Sequence, residues 1–121
     1  MGIAVFAPNV RGSSGYGKTF EQLDNGRGRA DSMRDVEALL DWIATQKDLD
    51  ANHIGTFGAS YGGYLSLATM MYYNDRLAGA AEVSGISNIA TFLDNTATWR
   101  RDLRGQAYGA ERDPAMRAWL P

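Results

Sequence analysis

Gly58-Ala59-Ser60-Tyr61-Gly62 is the stretch that decides how this chain folds. It fits the pattern G-x-S-x-G, in which a serine occupies a tight turn between a strand and a helix. Residues 53–57 predict a short buried strand before the turn, and residues 64–71 predict an apolar helix after it. We therefore expect the backbone to kink at Ser60 and to hold its hydroxyl out as a nucleophile at the carboxyl edge of a sheet.

The glycines around Ser60 have a mechanical role in this prediction. A serine in such a turn adopts a strained backbone conformation, and bulky side chains two residues away would collide. Gly58, Gly62 and Gly63 remove those side chains. An ordinary glycine-rich turn between a strand and a helix, with no chemistry, is the alternative interpretation.

Hydrophobic patterning outside the turn predicts the fold class. Apolar runs predict strands over residues 2–7, 53–57 and 78–83. Residues 32–46 have apolar side chains at helical spacing, with Ser32 as the predicted N-cap and Asp35 in a capping-box position. The order strand, helix, strand, helix, strand predicts an α/β protein. We expect a partial α/β-hydrolase fold, with a parallel sheet of about three strands and flanking helices.

Such a thin sheet would leave apolar strands open to pairing at both edges. A chain of 121 residues is enough for one small domain or for part of a larger one. We therefore expect residues 1–121 to be the central part of an α/β-hydrolase catalytic domain, truncated at both ends.

Composition argues against several classes of protein. The formal net charge of −2 gives no electrostatic reason to bind nucleic acid or an anionic membrane. The absence of cysteine excludes disulfides and thiolate metal sites, and we expect neither a metal nor a cofactor. No apolar run approaches the roughly 20 residues that cross a bilayer, and no signal peptide is evident. We expect a soluble chain, cytoplasmic by default.

Three segments resemble the prolyl oligopeptidase family of serine peptidases. Asn9-Val10-Arg11-Gly12-Ser13-Ser14-Gly15-Tyr16-Gly17 is similar to the loop that follows a central strand in that family. Residues 31–42 resemble the helix that comes next, and residues 58–64 resemble the nucleophile elbow. The similarity is closest to the dipeptidyl- and acylaminoacyl-peptidase branches, and it weakens after about Ile89.

The resemblance implies a peptidase that cleaves oligopeptides through an acyl-enzyme on Ser60. The Tyr61 backbone N–H is the implied oxyanion donor, with the Tyr61 side chain free to face the substrate. Asn88 and Thr91 stand where aromatic residues line the substrate pocket of dipeptidyl-peptidase relatives. Trp99 is a candidate for that contact, with packing in the core as its alternative role.

The catalytic acid and histidine follow the serine in this family, at positions beyond residue 121, and a second oxyanion donor precedes residue 1. The single histidine, His53, lies roughly 20 Å from Ser60 in an extended strand, too far for proton transfer. We therefore expect the chain to be inactive alone and to require the rest of the catalytic domain. An oligomer is compatible with this interpretation.

Other functions fit parts of the sequence. The segment from Gly12 to Thr19 satisfies G-x-x-x-x-G-K-[ST], the P-loop of nucleotide-binding proteins. A P-loop opens a long helix directly after a strand, whereas here Asn25-Gly26 breaks the helix early. A carboxylic-ester hydrolase with the same elbow and a module without catalysis also remain alternatives. The cluster of Arg100, Arg101 and Arg104 fits a solvated helix face or a carboxylate-binding patch.

Overall fold

The computed structural model describes residues 2–109 and 112–120, and its sheet confirms the predicted fold class. Strands β1 (Gly55–Ala59) and β2 (Gly79–Val83) pair in parallel. Gly55 lies opposite Gly79 and Ala59 lies opposite Val83, so the two strands end at the same edge of the sheet. This edge is where the residues that follow each strand come together.

Helices make up most of the regular secondary structure in the described part of the chain. The longest are α2 and α3, which match the two helices predicted from apolar spacing. The helices are α1 (Lys18–Glu21), a 3₁₀ helix (Gly26–Asp31), α2 (Ser32–Thr45), α3 (Tyr61–Tyr72), a 3₁₀ turn (Asn74–Arg76), α4 (Ile89–Asp94), α5 (Thr98–Tyr108) and α6 (Pro114–Trp119). None of these helices is long and apolar enough to cross a bilayer.

Helix α3 packs on the sheet through small and polar side chains. The Ser66 hydroxyl of α3 is 2.9 Å from the Thr56 hydroxyl of β1 and donates to the Ala81 carbonyl of β2 at 3.1 Å. Both strands are therefore tied to one helix. The opposite face of β1 is open, and Phe57 on that face is 76% exposed.

The predicted strand over residues 2–7 is wrong. These residues form neither helix nor strand, and Ile3, Val5 and Phe6 are exposed. An apolar run becomes a strand only when a neighbouring strand satisfies its main-chain hydrogen bonds. In the described residues, β1 and β2 pair only with each other. The sheet therefore has two strands instead of about three.

The predicted capping box at the start of α2 is also wrong. Asp31 occupies the N-cap position, and Ser32 is the first residue of the helix and fully buried. Asp35 instead accepts three hydrogen bonds from Arg11, from its main-chain N–H at 2.8 Å and its guanidinium at 2.9 and 2.7 Å. The bond from the Arg11 side chain holds the pKa of Asp35 below its usual value. This bidentate pair anchors the loop over residues 9–17 to α2.

A small apolar cluster lies between α3 and the carboxyl-terminal helices. Its buried members are Ile86, Ile89 and Leu93, with Ile89 and Leu93 fully buried. Aromatic rings from α3, α4 and α5 cover it, namely those of Tyr64, Phe92 and Tyr108. The segment that follows β2 is thereby held against the start of α3.

Candidate active site

Ser60 lies between β1 and α3, and the backbone kinks there as predicted. Its φ of 52° and ψ of −116° fall outside the regions that non-glycine residues favour. Its main-chain N–H donates to the Val83 carbonyl at the end of β2, at 3.0 Å. Ser60 is exposed, so its hydroxyl is accessible at the carboxyl edge of the sheet.

Two of the three glycines around Ser60 are required by close backbone approach. A Cβ at Gly58 would collide with the Gly62 carbonyl oxygen, and a Cβ at Gly63 would lie 2.6 Å from the Gly85 Cα. A Cβ at Gly62 would meet no atom within 4 Å. The steric role predicted for Gly58 and Gly63 is confirmed, whereas Gly62 has room for a side chain.

Tyr61 is the first residue of α3. Its main-chain N–H is one of the first-turn donors that have no acceptor within the helix, so it is available to an anionic ligand. The proximity of this N–H to Ser60 fits the oxyanion role that the sequence implies. That role stays a prediction.

The prediction that the Tyr61 side chain is free to face the substrate is wrong. Its hydroxyl donates to Asp24 Oδ2 at 2.9 Å. Its ring stacks on Tyr64, with centroids 5.8 Å apart, and meets the edge of Tyr108 at 6.1 Å. Burial raises the pKa of the Tyr61 phenol, which therefore remains a neutral hydrogen-bond donor.

A buried ion pair, Arg29 and Asp24, contacts the Tyr61 side chain. Arg29 is 3% exposed and Asp24 is 7% exposed, and their charged groups are 3.4 Å apart. Arg29 also donates to the Ala107 carbonyl at 2.6 Å. Its guanidinium carbon lies 4.9 Å from the ring centre of Tyr61 and 4.3 Å from that of Tyr108. No local pattern in the sequence predicts this pair.

A cavity of about 300 Å³ opens beside Ser60. The segment that follows β2 forms one wall, beginning at Ser84, whose φ of 51° is the other positive value among the described non-glycine residues. Helices α4 and α5 supply the remaining wall. The lining residues are Ser60, Ser84, Gly85, Ile86, Ser87, Asn88, Thr91, Phe92, Asn95, Thr96 and Arg104.

Asn88, Thr91 and Arg104 line this cavity, whereas Trp99 and His53 lie outside it. Trp99 is 77% exposed, does not line the cavity and stacks on Arg100, with 4.4 Å from the guanidinium carbon to the ring centre. Packing in the core, the alternative role of Trp99, is wrong because its side chain is exposed. Its substrate contact stays a prediction. His53 Nδ1 lies 2.7 Å from Asp50 Oδ2, before the start of β1. The described residues contain no cluster of three or more side chains suited to a metal.

The P-loop segment opens into a very short helix. Helix α1 spans four residues, and both Lys18 and Thr19 are exposed. The Gly12 N–H donates to the Phe20 carbonyl at 3.0 Å, which closes the loop on itself. This geometry lacks the long helix at whose start a P-loop binds phosphate.

An exposed serine at a strained turn between a parallel strand and a helix has the geometry of the nucleophile elbow, the turn typical of α/β-hydrolases. Comparison with known proteins identifies a family within this class of hydrolases. The model of the prolyl oligopeptidase family matches residues 1–120. The chain belongs to that family.

Relatives of the chain carry peptidase names. It is 30% identical to dipeptidyl aminopeptidase BIII of Pseudoxanthomonas mexicana over 98% of its length, which covers 18% of that protein. It is 27% identical to the human acylamino-acid-releasing enzyme, with 98% of the chain and 16% of the enzyme covered. Dipeptidyl-peptidase 5 of Porphyromonas gingivalis is 31% identical over 74% of the chain and 13% of its own length. The chain thus spans less than a fifth of the length of these relatives.

The glycine contacts give a direct test of the elbow. Gly63→Ala should lower the free energy of unfolding by about 1–3 kcal/mol, because the new methyl must push α3 away from the backbone of Gly85. Gly62→Ala is the matched control and should be neutral or stabilising by up to about 1 kcal/mol. Urea unfolding of the intact protein measures both. Equal effects of the two substitutions would contradict the packing described for α3.

The buried ion pair gives a second test. Arg29→Met should lower the free energy of unfolding by about 3–5 kcal/mol, because it leaves the buried carboxylate of Asp24 without its cation. Adding Asp24→Asn should recover part of the loss. Arg34→Met removes an exposed arginine 3.6 Å from Asp31 and should cost less than about 1 kcal/mol. Denaturant titration of the parent protein and these three variants measures the free energies of unfolding. Similar losses of stability for Arg29→Met and Arg34→Met would refute the buried role of Arg29.

Proposed function

We propose that this chain carries the nucleophile of a serine peptidase that cleaves oligopeptides. The observation that carries the proposal is the geometry of Ser60, an exposed serine held at positive φ between β1 and α3. Membership in the prolyl oligopeptidase family supports the same reaction class. The names of the relatives refer to dipeptidyl and acylamino-acid products, which favours peptides over simple esters as substrates.

The reaction begins with attack of Ser60 Oγ on the carbonyl carbon of the scissile bond. The hydroxyl proton passes to a general base as the O–C bond forms, and the carbonyl oxygen becomes an oxyanion. The Tyr61 N–H donates a hydrogen bond to this oxyanion. Collapse of the intermediate breaks the C–N bond, and the departing amine takes the proton. Water then hydrolyses the acyl-enzyme by the same steps and frees Ser60.

The general base comes from outside residues 1–121 in this proposal. His53 is the only histidine of the chain, and its ring contacts Asp50 before the start of β1. A serine hydroxyl without a base is a weak nucleophile. Residues 1–121 alone therefore lack catalytic activity, and the complete site requires further parts of a catalytic domain.

A fluorophosphonate probe tests the nucleophile. With its natural flanking sequence, the protein should be phosphonylated on Ser60, because Oγ displaces fluoride at phosphorus as it attacks a carbonyl. Mass spectrometry of the digested protein should find the adduct on the peptide that contains residue 60. Ser60→Ala should lose this adduct, whereas Ser14→Ala, which alters an exposed loop serine, should keep it.

Kinetics with matched substrates then test the reaction class. A peptidase should hydrolyse both an aminoacyl anilide and the corresponding methyl ester, with both rates lost in Ser60→Ala. Hydrolysis of the ester alone would replace the peptidase with an ester hydrolase of the same fold. Absence of any adduct on Ser60 would refute the nucleophile itself.

A further inference from the structure

The cavity beside Ser60 contains one charged side chain. Most of its walls are hydroxyl and amide groups, and Arg104 of α5 is the sole ionic group among the lining residues. Arg104 is partly buried, unlike its neighbour Arg100, which is exposed. The arginine cluster of the sequence is thus divided: Arg104 lines the cavity, whereas Arg100 lies outside it against Trp99.

Two contacts on the cavity wall hold the guanidinium of Arg104 in place. Its Nη1 donates to the Thr96 hydroxyl oxygen at 3.0 Å. Its central carbon lies 4.5 Å from the ring centre of Phe92. The Thr96 hydroxyl in turn donates to the Phe92 carbonyl at 2.7 Å, so its oxygen is oriented to accept from Arg104. Binding a ligand here requires little further ordering of this side chain.

Most of the hydrogen-bonding capacity of Arg104 remains for a ligand. A guanidinium has five N–H donors, and the structure shows one of its nitrogens bonded to Thr96. Among the described residues, no carboxylate forms an ion pair with Arg104. Arg101 and Arg117, by contrast, both contact Asp94. A carboxylate in the cavity would supply the bidentate partner that arginine prefers.

We propose that Arg104 makes this cavity a binding site for an acidic side chain, aspartate or glutamate, on the acyl side of the cleaved bond. The inference rests on the proposed function, since it assigns the substrate class of the same site. The cavity begins at Ser60, and the side chain nearest to the attacked carbon belongs to the residue that supplies the carbonyl. An apolar side chain there would remove water from the guanidinium without replacing its hydrogen bonds.

Isosteric substrates test this specificity. The protein with its natural flanking sequence is assayed with glutamyl and glutaminyl p-nitroanilides, each offered as the Gly-Xaa and the acetyl-Xaa form. Neither anilide substrate series has a C-terminal carboxylate, so within each series the side chain is the single difference. We expect kcat/KM for glutamyl to exceed that for glutaminyl by about 10- to 100-fold, as expected for charge-assisted hydrogen bonds. A ratio near one, or a preference for glutaminyl, overturns the inference without any variant.

Variants then locate the preference. Arg104→Met should bring the glutamyl to glutaminyl ratio close to one, and Arg104→Lys should retain part of it. Arg100→Met removes the same charge one turn earlier, outside the cavity, and should keep the ratio of the parent protein. Reaction of Ser60 with a neutral fluorophosphonate should proceed in every variant, which shows that the elbow is intact. A glutamyl preference that persists in Arg104→Met also overturns the inference.

Two outcomes separate this inference from the proposed function. Labelling of Ser60 and anilide cleavage with no glutamyl preference would refute the acidic site and leave the peptidase assignment in place. Absence of Ser60 labelling would refute the peptidase assignment itself and the inference with it.

The other possible partner of Arg104 is the C-terminal carboxylate of a peptide substrate. A peptide series ending in a free acid or an amide tests this alternative. Arg104-dependent selection of the free acid, with no glutamyl preference, would assign Arg104 to a terminal carboxylate and overturn the side-chain proposal.

Discussion

Close approach of two backbone segments, at Gly63 and Gly85, is the constraint on which the site depends. The start of α3 lies so near the segment after β2 that a Cβ on Gly63 would be 2.6 Å from the Gly85 Cα. This contact places Ser60 and Ser84 at the same edge of the sheet. It also forms the boundary between the turn at Ser60 and the cavity, because Gly85 lines that cavity.

The strained turn at Ser60 is maintained by the structure on both sides of it. A non-glycine residue in such a sparsely populated conformation costs about 1–3 kcal/mol and persists only where its surroundings fix it. Before Ser60, β1 pairs with β2, and the Ser60 N–H continues that pairing to the Val83 carbonyl. After Ser60, the Tyr61 ring is held by Asp24 and by the guanidinium of Arg29. The serine hydroxyl between them stays exposed.

The sequence predicts the structure best where local pattern and local structure coincide. Glycine spacing and apolar periodicity account for the turn at Ser60, the helix Ser32–Thr45 and the strand Gly79–Val83. The strand prediction fails at residues 2–7 because an apolar run does not specify whether a partner strand lies beside it. Asp35 looked like a cap because its distant partner, Arg11, has no signature at a separation of 24 residues.

The parts of the site that the sequence did not predict all depend on tertiary contacts. Asp24 and Arg29 lie in a glycine-rich stretch without periodicity, so nothing local marks them as a buried pair. The Tyr61 side chain packs inside the protein because Asp24 of that pair accepts a hydrogen bond from its hydroxyl. The arginine cluster gave a pattern compatible with two interpretations, and only the packing of α5 against α4 separates Arg104 from Arg100. The backbone turn at Ser60 was predictable from the sequence, whereas the cavity beside it was not.

A crystal structure of the phosphonylated protein tests the central claim most directly. The account predicts phosphorus bonded to Ser60 Oγ, a positive φ at residue 60, and a phosphonyl oxygen within about 2.7–3.1 Å of the Tyr61 nitrogen. A residue 60 in ordinary helical conformation, or a phosphonyl oxygen directed away from the Tyr61 N–H, would contradict it.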